Sequence, residues 1–480
     1  MGDNAVDENL LSFFGRVNYG FSDRYLLTAT FRADGSSKFA KGHKWGYFPS
    51  AAFAWRLGQE PWMKNVRWVQ DAKIRVSYGL TGNNRVGDYS SYSTISIGDY
   101  YPFNNSPEPA AYRNAMGNTD LTWETTRQLD LGLDLKLWEG RFSFTFDIYD
   151  KVTSDLLLNA KIPYSTGFTT VYKNVGKVQN RGLEVTINTI NVHTRDFMWT
   201  SDLNFAFNQD KVLELADSQQ TLLSSVKFTG SFNGTNLYIA QVGKPIASFY
   251  GLVWDGMYGV DDFDLNAGGQ YVLKEGVPTN GDTRAVIQPG DIKYVDQNGD
   301  GVVNDQDMVV IGRGTPFFTG GFNNTLTWRG FDLNFFFQWS VGNMIMNANR
   351  LIFEGNYANK TINQFRSYND HWTFDNQDSR NFRVGGQGPD GLYSTRTLED
   401  GSFLRLKTLQ LSYTLPKRIS GKLKMDVLKF TIAGQNLWTL SKYSGLDPEV
   451  SIRHTALTPG FDFSAYARTR SFTAGVSVTF

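Results

Sequence analysis

Phe331-Asp332-Leu333-Asn334-Phe335-Phe336-Phe337-Gln338-Trp339 places Phe331, Leu333, Phe335, Phe337 and Trp339 on one face and Asp332, Asn334, Phe336 and Gln338 on the other. Successive side chains of a strand point to opposite sides, so this period of two is a strand with one apolar and one polar face. The pattern continues outward in both directions. Phe142, Phe144, Phe146 and Ile148 alternate with Ser143, Thr145 and Asp147, and Leu131, Leu133, Leu135 and Leu137 alternate with Asp130, Gly132, Asp134 and Lys136. Phe472, Ala474, Val476, Val478 and Phe480 carry it to the last residue. Helical spacing is confined to short stretches, Asp210–Ala216 and Tyr357–Tyr368.

About fifteen strands follow from this periodicity. They fall near 10–20, 25–34, 47–57, 72–81, 122–137, 141–153, 177–191, 197–209, 236–243, 246–257, 317–328, 331–341, 402–415, 428–440 and 470–480. The connections alternate in length. Short turns at 21–24, 139–140, 192–196, 244–245 and 329–330 are interleaved with long loops at 35–46, 82–121, 154–176, 210–235, 258–316, 342–401 and 441–469. Linkers 58–71 and 416–427, on the short-turn side, are of middle length. Tight turns at one end and long loops at the other predict an all-β chain: a transmembrane, antiparallel, up-and-down β-barrel. A soluble sandwich also alternates apolar and polar residues, but nothing requires it to sort its loops by end. Trp138, Trp199 and Trp328 stand at strand ends beside short turns, where an interfacial aromatic belt would lie. Closed single-chain barrels have an even number of strands. An odd count, with the first strand starting on the long-loop side, predicts that early strands lie outside these 480 residues or come from another polypeptide.

Composition narrows the function. Lys and Arg total 47, and Asp and Glu total 47, which argues against a nucleic-acid partner held by a basic face. With no cysteine the chain forms no disulfide, zinc–thiolate site or thiol nucleophile. No apolar run reaches the roughly 18 residues of a membrane helix, and Met1 to Asn9 lack the apolar segment of a signal peptide. HExxH, nucleophile-elbow and Walker patterns are missing, and His43, His193, His371 and His454 are scattered, so no enzyme activity is expected. The basic turn Lys417, Arg418, Lys422, Lys424 reads as a solvated turn rather than a lipid-headgroup contact. Tyr100, Tyr101 and Phe103, and likewise Trp254 and Tyr258, read as aromatics that pack loops on one another; no substrate residues are assigned.

Several segments together carry a family resemblance. They are Phe31-Arg32-Ala33-Asp34-Gly35-Ser36-Ser37-Lys38-Phe39, Tyr47-Phe48-Pro49-Ser50-Ala51 and Tyr78-Gly79-Leu80-Thr81-Gly82-Asn83-Asn84. Asn180-Arg181-Gly182-Leu183-Glu184, Gly243-Lys244-Pro245-Ile246, Asp291-Ile292-Lys293-Tyr294-Val295-Asp296 and the final aromatic strand complete the set. The chain resembles the C-terminal barrel portion of the SusC/RagA family of TonB-linked outer-membrane nutrient importers of Bacteroidetes. The resemblance implies a plugged barrel of about 22 strands, of which residues 1–480 supply the later ones. It further implies import of an oligomeric nutrient, glycan or peptide, beneath a SusD-like lipoprotein lid. A TonB complex would drive that import through an N-terminal region. An incomplete or split member serving as an outer-membrane scaffold is the competing expectation.

One local motif is independent of that resemblance. Asp296-Gln297-Asn298-Gly299-Asp300-Gly301-Val302-Val303-Asn304-Asp305-Gln306-Asp307, in loop 258–316, has the spacing of a twelve-residue EF-type calcium loop. Asp296, Asn298 and Asp300 supply side-chain oxygens at positions one, three and five, and Gly301 allows the sharp bend. Val302 offers its carbonyl, Asn304 ligates directly or through water, and Asp307 closes the shell. Position twelve is Asp where Glu is usual, so two-oxygen closure needs closer approach. No helical pattern flanks the loop. The expected role of calcium is structural, pinning the loop.

Overall fold

In the computed structural model, which describes residues 7–103, 105–216, 219–355, 362–452 and 455–480, the two-residue period becomes long antiparallel strands. We label the strands of the main sheet β1 (Leu10–Phe21), β2 (Tyr25–Ser36), β3 (Trp45–Arg56), β4 (Val69–Asn83), β5 (Glu124–Leu137), β6 (Phe142–Ser154) and β7 (Lys177–His193). The rest are β8 (Phe197–Glu214), β9 (Phe318–Trp328), β10 (Phe331–Val341), β11 (Phe403–Thr414), β12 (Val427–Ser441) and β13 (Ser471–Thr479). Their order in the sheet is their order in the chain, an up-and-down meander. The chain divides into two units. The first is Met1–Asn191, Thr200–Gln220 and Val242–Lys244; the second is Val192–Trp199, Thr221–Gln241 and Pro245–Phe480.

Register shows how alternation becomes two surfaces. In the first unit Tyr19, Leu27, Phe53, Val76, Leu131, Ile148 and Leu183 lie opposite one another across seven strands. All but Leu183 are exposed. One residue along, the row reads Asn18, Thr28, Ala52, Ser77, Asp130, Tyr149 and Gly182. In the second unit Trp328, Phe331, Tyr413, Phe430 and Val476 are in register, beside Thr327, Asp332, Ser412, Thr431 and Gly475. A soluble protein rarely leaves so continuous an apolar face in water. Among the described residues no helix is long and apolar enough to cross a membrane, which says nothing of strands. The tight turns match hairpin geometry: Ser22 and Asp23, and Arg329 and Gly330, have positive φ at both central positions, as type I′ turns require.

Among the described residues the expected count of fifteen is corrected to thirteen. Segments 236–243 and 246–257 do not join the main sheet. Asn236–Gln241 and Ser248–Gly251 pair instead with Thr221–Ser225 and Val309–Arg313 in a separate four-stranded sheet, and Trp254–Met257 pairs with Ile292–Tyr294. The physical reason is burial on both faces. Leu237, Tyr238, Ile239 and Ala240 are all buried, whereas a one-sided strand would bury alternate residues. Leu237 and Tyr238 belong to a core with Phe228, Phe249, Met346, Tyr393 and Phe461. One connection therefore runs from β8 to β9, and the turn at 244–245 lies inside it. The helix expected at Asp210–Ala216 is also absent: β8 stays extended to Glu214 because Val212 exchanges main-chain hydrogen bonds with Gly243 and Lys244. Of the helix expected at Tyr357–Tyr368, residues 357–361 lie outside the described residues, and Arg366–Asn369 is a single 3-10 turn.

Candidate functional site

In the first unit the polar face holds a charged wall. Arg75 on β4 meets Asp134 on β5 with two hydrogen bonds, Nε to Oδ2 at 2.9 Å and Nη2 to Oδ1 at 3.1 Å. Its Nη2 also reaches Asp147 Oδ1 on β6 at 2.7 Å, crossing a whole strand. Gly132 permits that reach: a Cβ there would lie 2.5 Å from the Arg75 guanidinium and from Asp147. Lys73 Nζ adds a second cation to Asp134 at 2.7 Å. A parallel arrangement lies next to it. Tyr149 lies over Gly182, where a Cβ would come within 2.2 Å of the ring, and its hydroxyl donates to Asn208 Oδ1 at 3.1 Å. Arg75, Asp130, Asp147, Tyr149, Lys151 and Glu184 line an open recess of about 640 Å3. The ion pairs are partly hydrated, so each contributes at most about 1 kcal/mol. Their effect is to fix side-chain directions along the wall.

The second unit holds the EF-type loop. All six residues singled out by spacing, Asp296, Asn298, Asp300, Val302, Asn304 and Asp307, fall in one closed turn. Asp296 accepts from Gly299 N–H at 2.7 Å and Gly301 N–H at 2.8 Å, and the Gly301 bond leads in holding its carboxyl below the usual range. Asn298 accepts from Asp300 N–H, Asp300 from Val302 N–H, and Asn304 from Gln306 N–H. Gly299 and Gly301 both take the positive φ that the tight ring demands. Thr279 bridges to Val302, and Val303 is buried in the core beneath. Asp307 is fully buried and accepts with one carboxylate oxygen from Gln297 N–H at 2.8 Å and with the other from Asn304 N–H at 2.7 Å. Among the described residues no three His, Cys, Asp or Glu side chains are gathered as a metal cluster. The donor set remains all oxygen, as a hard cation requires.

The second unit also encloses a cavity of about 870 Å3 between helix α1 (Ala348–Phe353) and the segments around 366, 399, 444 and 462. Arg350, Glu354 and Glu399 in its wall belong to a charge network that sequence reading did not find. Glu354 accepts from Arg350 Nε at 2.8 Å and from Arg396 Nη2 at 3.1 Å. Glu399 gathers Arg350, Asn347 and Ser444. Arg396 is buried, which pulls its guanidinium below the ordinary value against the countering charge of Glu354. Glu354 and Arg396 come from loop segments about forty residues apart, so no spacing signal announces them. The packing expected for loop aromatics holds for Tyr258, which is fully buried, but not for Tyr100, Tyr101 and Phe103. These are exposed on a hairpin, Thr94–Phe103 with Ser106–Ala115. His371 contacts the Tyr368 carbonyl, and His454 lies outside the described residues.

Comparison with known proteins follows this geometry. The family profile described as "TonB dependent receptor-like, beta-barrel" matches residues 2–304. TonB-dependent receptor P3 of Formosa agariphila is 34% identical over 483 residues, covering 99% of this chain and 46% of the relative. TonB-dependent receptor SusC of Bacteroides thetaiotaomicron is 29% identical over 492 residues, covering 99% and 44%. The chain thus spans a little under half the length of the relatives it matches. Among solved structures, that of the RagAB peptide transporter superposes with a TM-score of 0.78 at 25% identity, over 99% of this chain and 48% of that one. The named relatives are receptors and transporters, not enzymes.

Proposed function

We propose, since the chain belongs to the TonB-dependent receptor β-barrel family, that it forms the later strands of an outer-membrane importer for an oligomeric nutrient. The SusC and RagAB likenesses favour a glycan or a peptide as cargo, taken up beneath a SusD-like surface lipoprotein and driven by a TonB complex. The observation that carries the reading is the pair of adjacent rows in the first unit. Tyr19 to Ile148 turn six exposed apolar side chains to one side, and Arg75, Asp134 and Asp147 fix charges on the other. Lipid satisfies the first surface, and a hydrated lumen with its plug satisfies the second. The long connections lie outside the cell in this reading, and the short turns face the periplasm.

Calcium is proposed for the 296–307 loop. Asp296, Asn298 and Asp300 would hold it with the Val302 carbonyl and Asn304, and Asp307 would contribute once released from a main-chain N–H. The ion would supply cross-linking of an external loop and no chemistry. Support comes from the all-oxygen ring, the two positive-φ glycines and an Asp296 carboxyl kept ionised.

Uptake of labelled oligosaccharides and oligopeptides by cells with and without the gene tests import. Accumulation should need the gene and should stop when the proton gradient is collapsed. Uptake indifferent to both would refute the importer.

A further inference from the structure

The connection between β11 and β12 carries more than a solvated turn. Pro416 leads into α2 (Lys417–Ser420), and a 3-10 turn, Gly421–Leu423, follows directly. Ile419 N–H and Ser420 N–H bond back to the Pro416 carbonyl, and Met425 N–H bonds to the Ser420 carbonyl, so the segment is a fixed two-turn knob. Ser420 is fully buried and anchors it. The outward side is the unusual part. Ile419 is 48% exposed and Leu423 52% exposed, four residues apart on a helical segment. Lys417, Arg418, Lys422 and Lys424 surround them, all exposed, with no carboxylate between Pro416 and Met425. None of the four cations joins an ion pair among the described residues.

A turn that is merely hydrated has no reason to hold Ile419 and Leu423 in water within a cluster of four positive charges. Two apolar side chains ringed by Lys and Arg fit the boundary of an anionic bilayer, where the alkyl groups enter the acyl region and the cations meet phosphate. The knob also continues an apolar surface of the same unit. Phe430 and Val427 on β12 and Val478 on β13 are exposed at the strand ends nearest it, and the Phe331 ring packs at a tilt against Tyr413, centroids 4.3 Å apart, just before the turn. Arg329 lies over Trp328 in the neighbouring turn. In the first unit the other middle-length connection repeats the composition independently: Trp62 and Trp68 are exposed beside exposed Lys64 and Arg67.

We infer that the 416–425 knob is a phospholipid-binding surface that selects anionic headgroups. This rests on the membrane-barrel reading and adds a ligand class and a location to it. Each Lys or Arg held at an anionic surface contributes a factor of about five in affinity, so four predict at least a roughly tenfold enrichment of anionic lipid after screening.

The test reconstitutes the full polypeptide in nanodiscs of phosphatidylcholine with a minority of phosphatidylglycerol and counts retained lipids by native mass spectrometry. The parent protein should retain phosphatidylglycerol at least about tenfold above its bulk share. The combined Lys417→Gln, Arg418→Gln, Lys422→Gln, Lys424→Gln variant should fall to the bulk ratio, and Ile419→Ser with Leu423→Ser should lose part of the enrichment. All six side chains are exposed, so incorporation should be unchanged. Incorporation without enrichment, or equal enrichment in parent and Gln variant, overturns the lipid surface and leaves the barrel reading intact. Failure of the parent protein to enter the nanodisc overturns both.

Discussion

Arg405 is the position where one substitution should have the largest local effect. It is 2% exposed on β11 and donates to Thr439 Oγ1 at 3.0 Å, Glu449 Oε2 at 2.5 Å and Asp447 Oδ1 at 2.8 Å. It therefore clamps the start of the β12–β13 connection onto the polar side of the strands. Arg405→Met keeps the volume and removes the charge. Asp447, itself buried, then loses its only cation among the described ion pairs, whereas Glu449 keeps Lys407 at 3.8 Å and Arg468 at 3.6 Å. Stranding one partner of a buried pair costs about 3–5 kcal/mol. Because Glu449 retains partners, we take the lower figure. A penalty of about 3 kcal/mol raises the population of the detached segment roughly a hundredfold. Proteolysis follows that population when reclosure outpaces cleavage, and Lys442 and Arg468 flank the segment as trypsin sites. Cleavage there should accelerate about a hundredfold in Arg405→Met. Adding Asp447→Asn should recover much of the protection by removing the stranded charge. Acceleration below about fivefold, or a double variant worse than the single, would show that the clamp does not hold the segment.

Other perturbations follow from the same geometry. Gly132→Val should push Arg75 off Asp147 and lower stability by about 1–3 kcal/mol, read as a shifted denaturation midpoint, and an unchanged midpoint would contradict the close approach. Asp296 has a depressed folded pKa, so its contribution is present above the ordinary carboxylate range and lost as pH falls through its lower folded value. Amide exchange at Gly299 and Gly301 should accelerate only in that acid window, and Asp296→Ala should abolish the transition. The same Asp296→Ala change, combined with Asp300→Ala, should weaken calcium binding measured by calorimetry; unchanged binding would return the loop to an ordinary turn. Burial pushes Tyr294 up to about 12, so the folded state binds its proton more tightly than the unfolded chain. Stability should decline as pH rises from about 10 to about 12, by about 2–3 kcal/mol at most, and Tyr294→Phe should flatten that decline.

What the sequence determined was set by local rules. The period of two in Phe331–Trp339 and its counterparts fixes which side of each strand is apolar whatever the strand pairs with, so thirteen of the fifteen expected strands, their faces and the sorting of loops by length were legible. The ring of Asp296 to Asp307 was legible for the same reason, since a twelve-residue turn closes on itself. Periodicity could not decide whether residues 236–257 face lipid or fill a core. A short apolar run reads alike in both settings, and the choice was made by Phe228, Met346, Tyr393 and Phe461 arriving from elsewhere in the chain. Tertiary structure likewise created the Glu354–Arg396 and Arg405–Asp447 pairs, the placement of Arg75 across Gly132, and the exposure of Ile419 and Leu423. Each of these depends on distances between segments tens of residues apart, or on which side of a turn stays uncovered, and a charge or an alkyl group carries no mark in the sequence of the partner that will meet it.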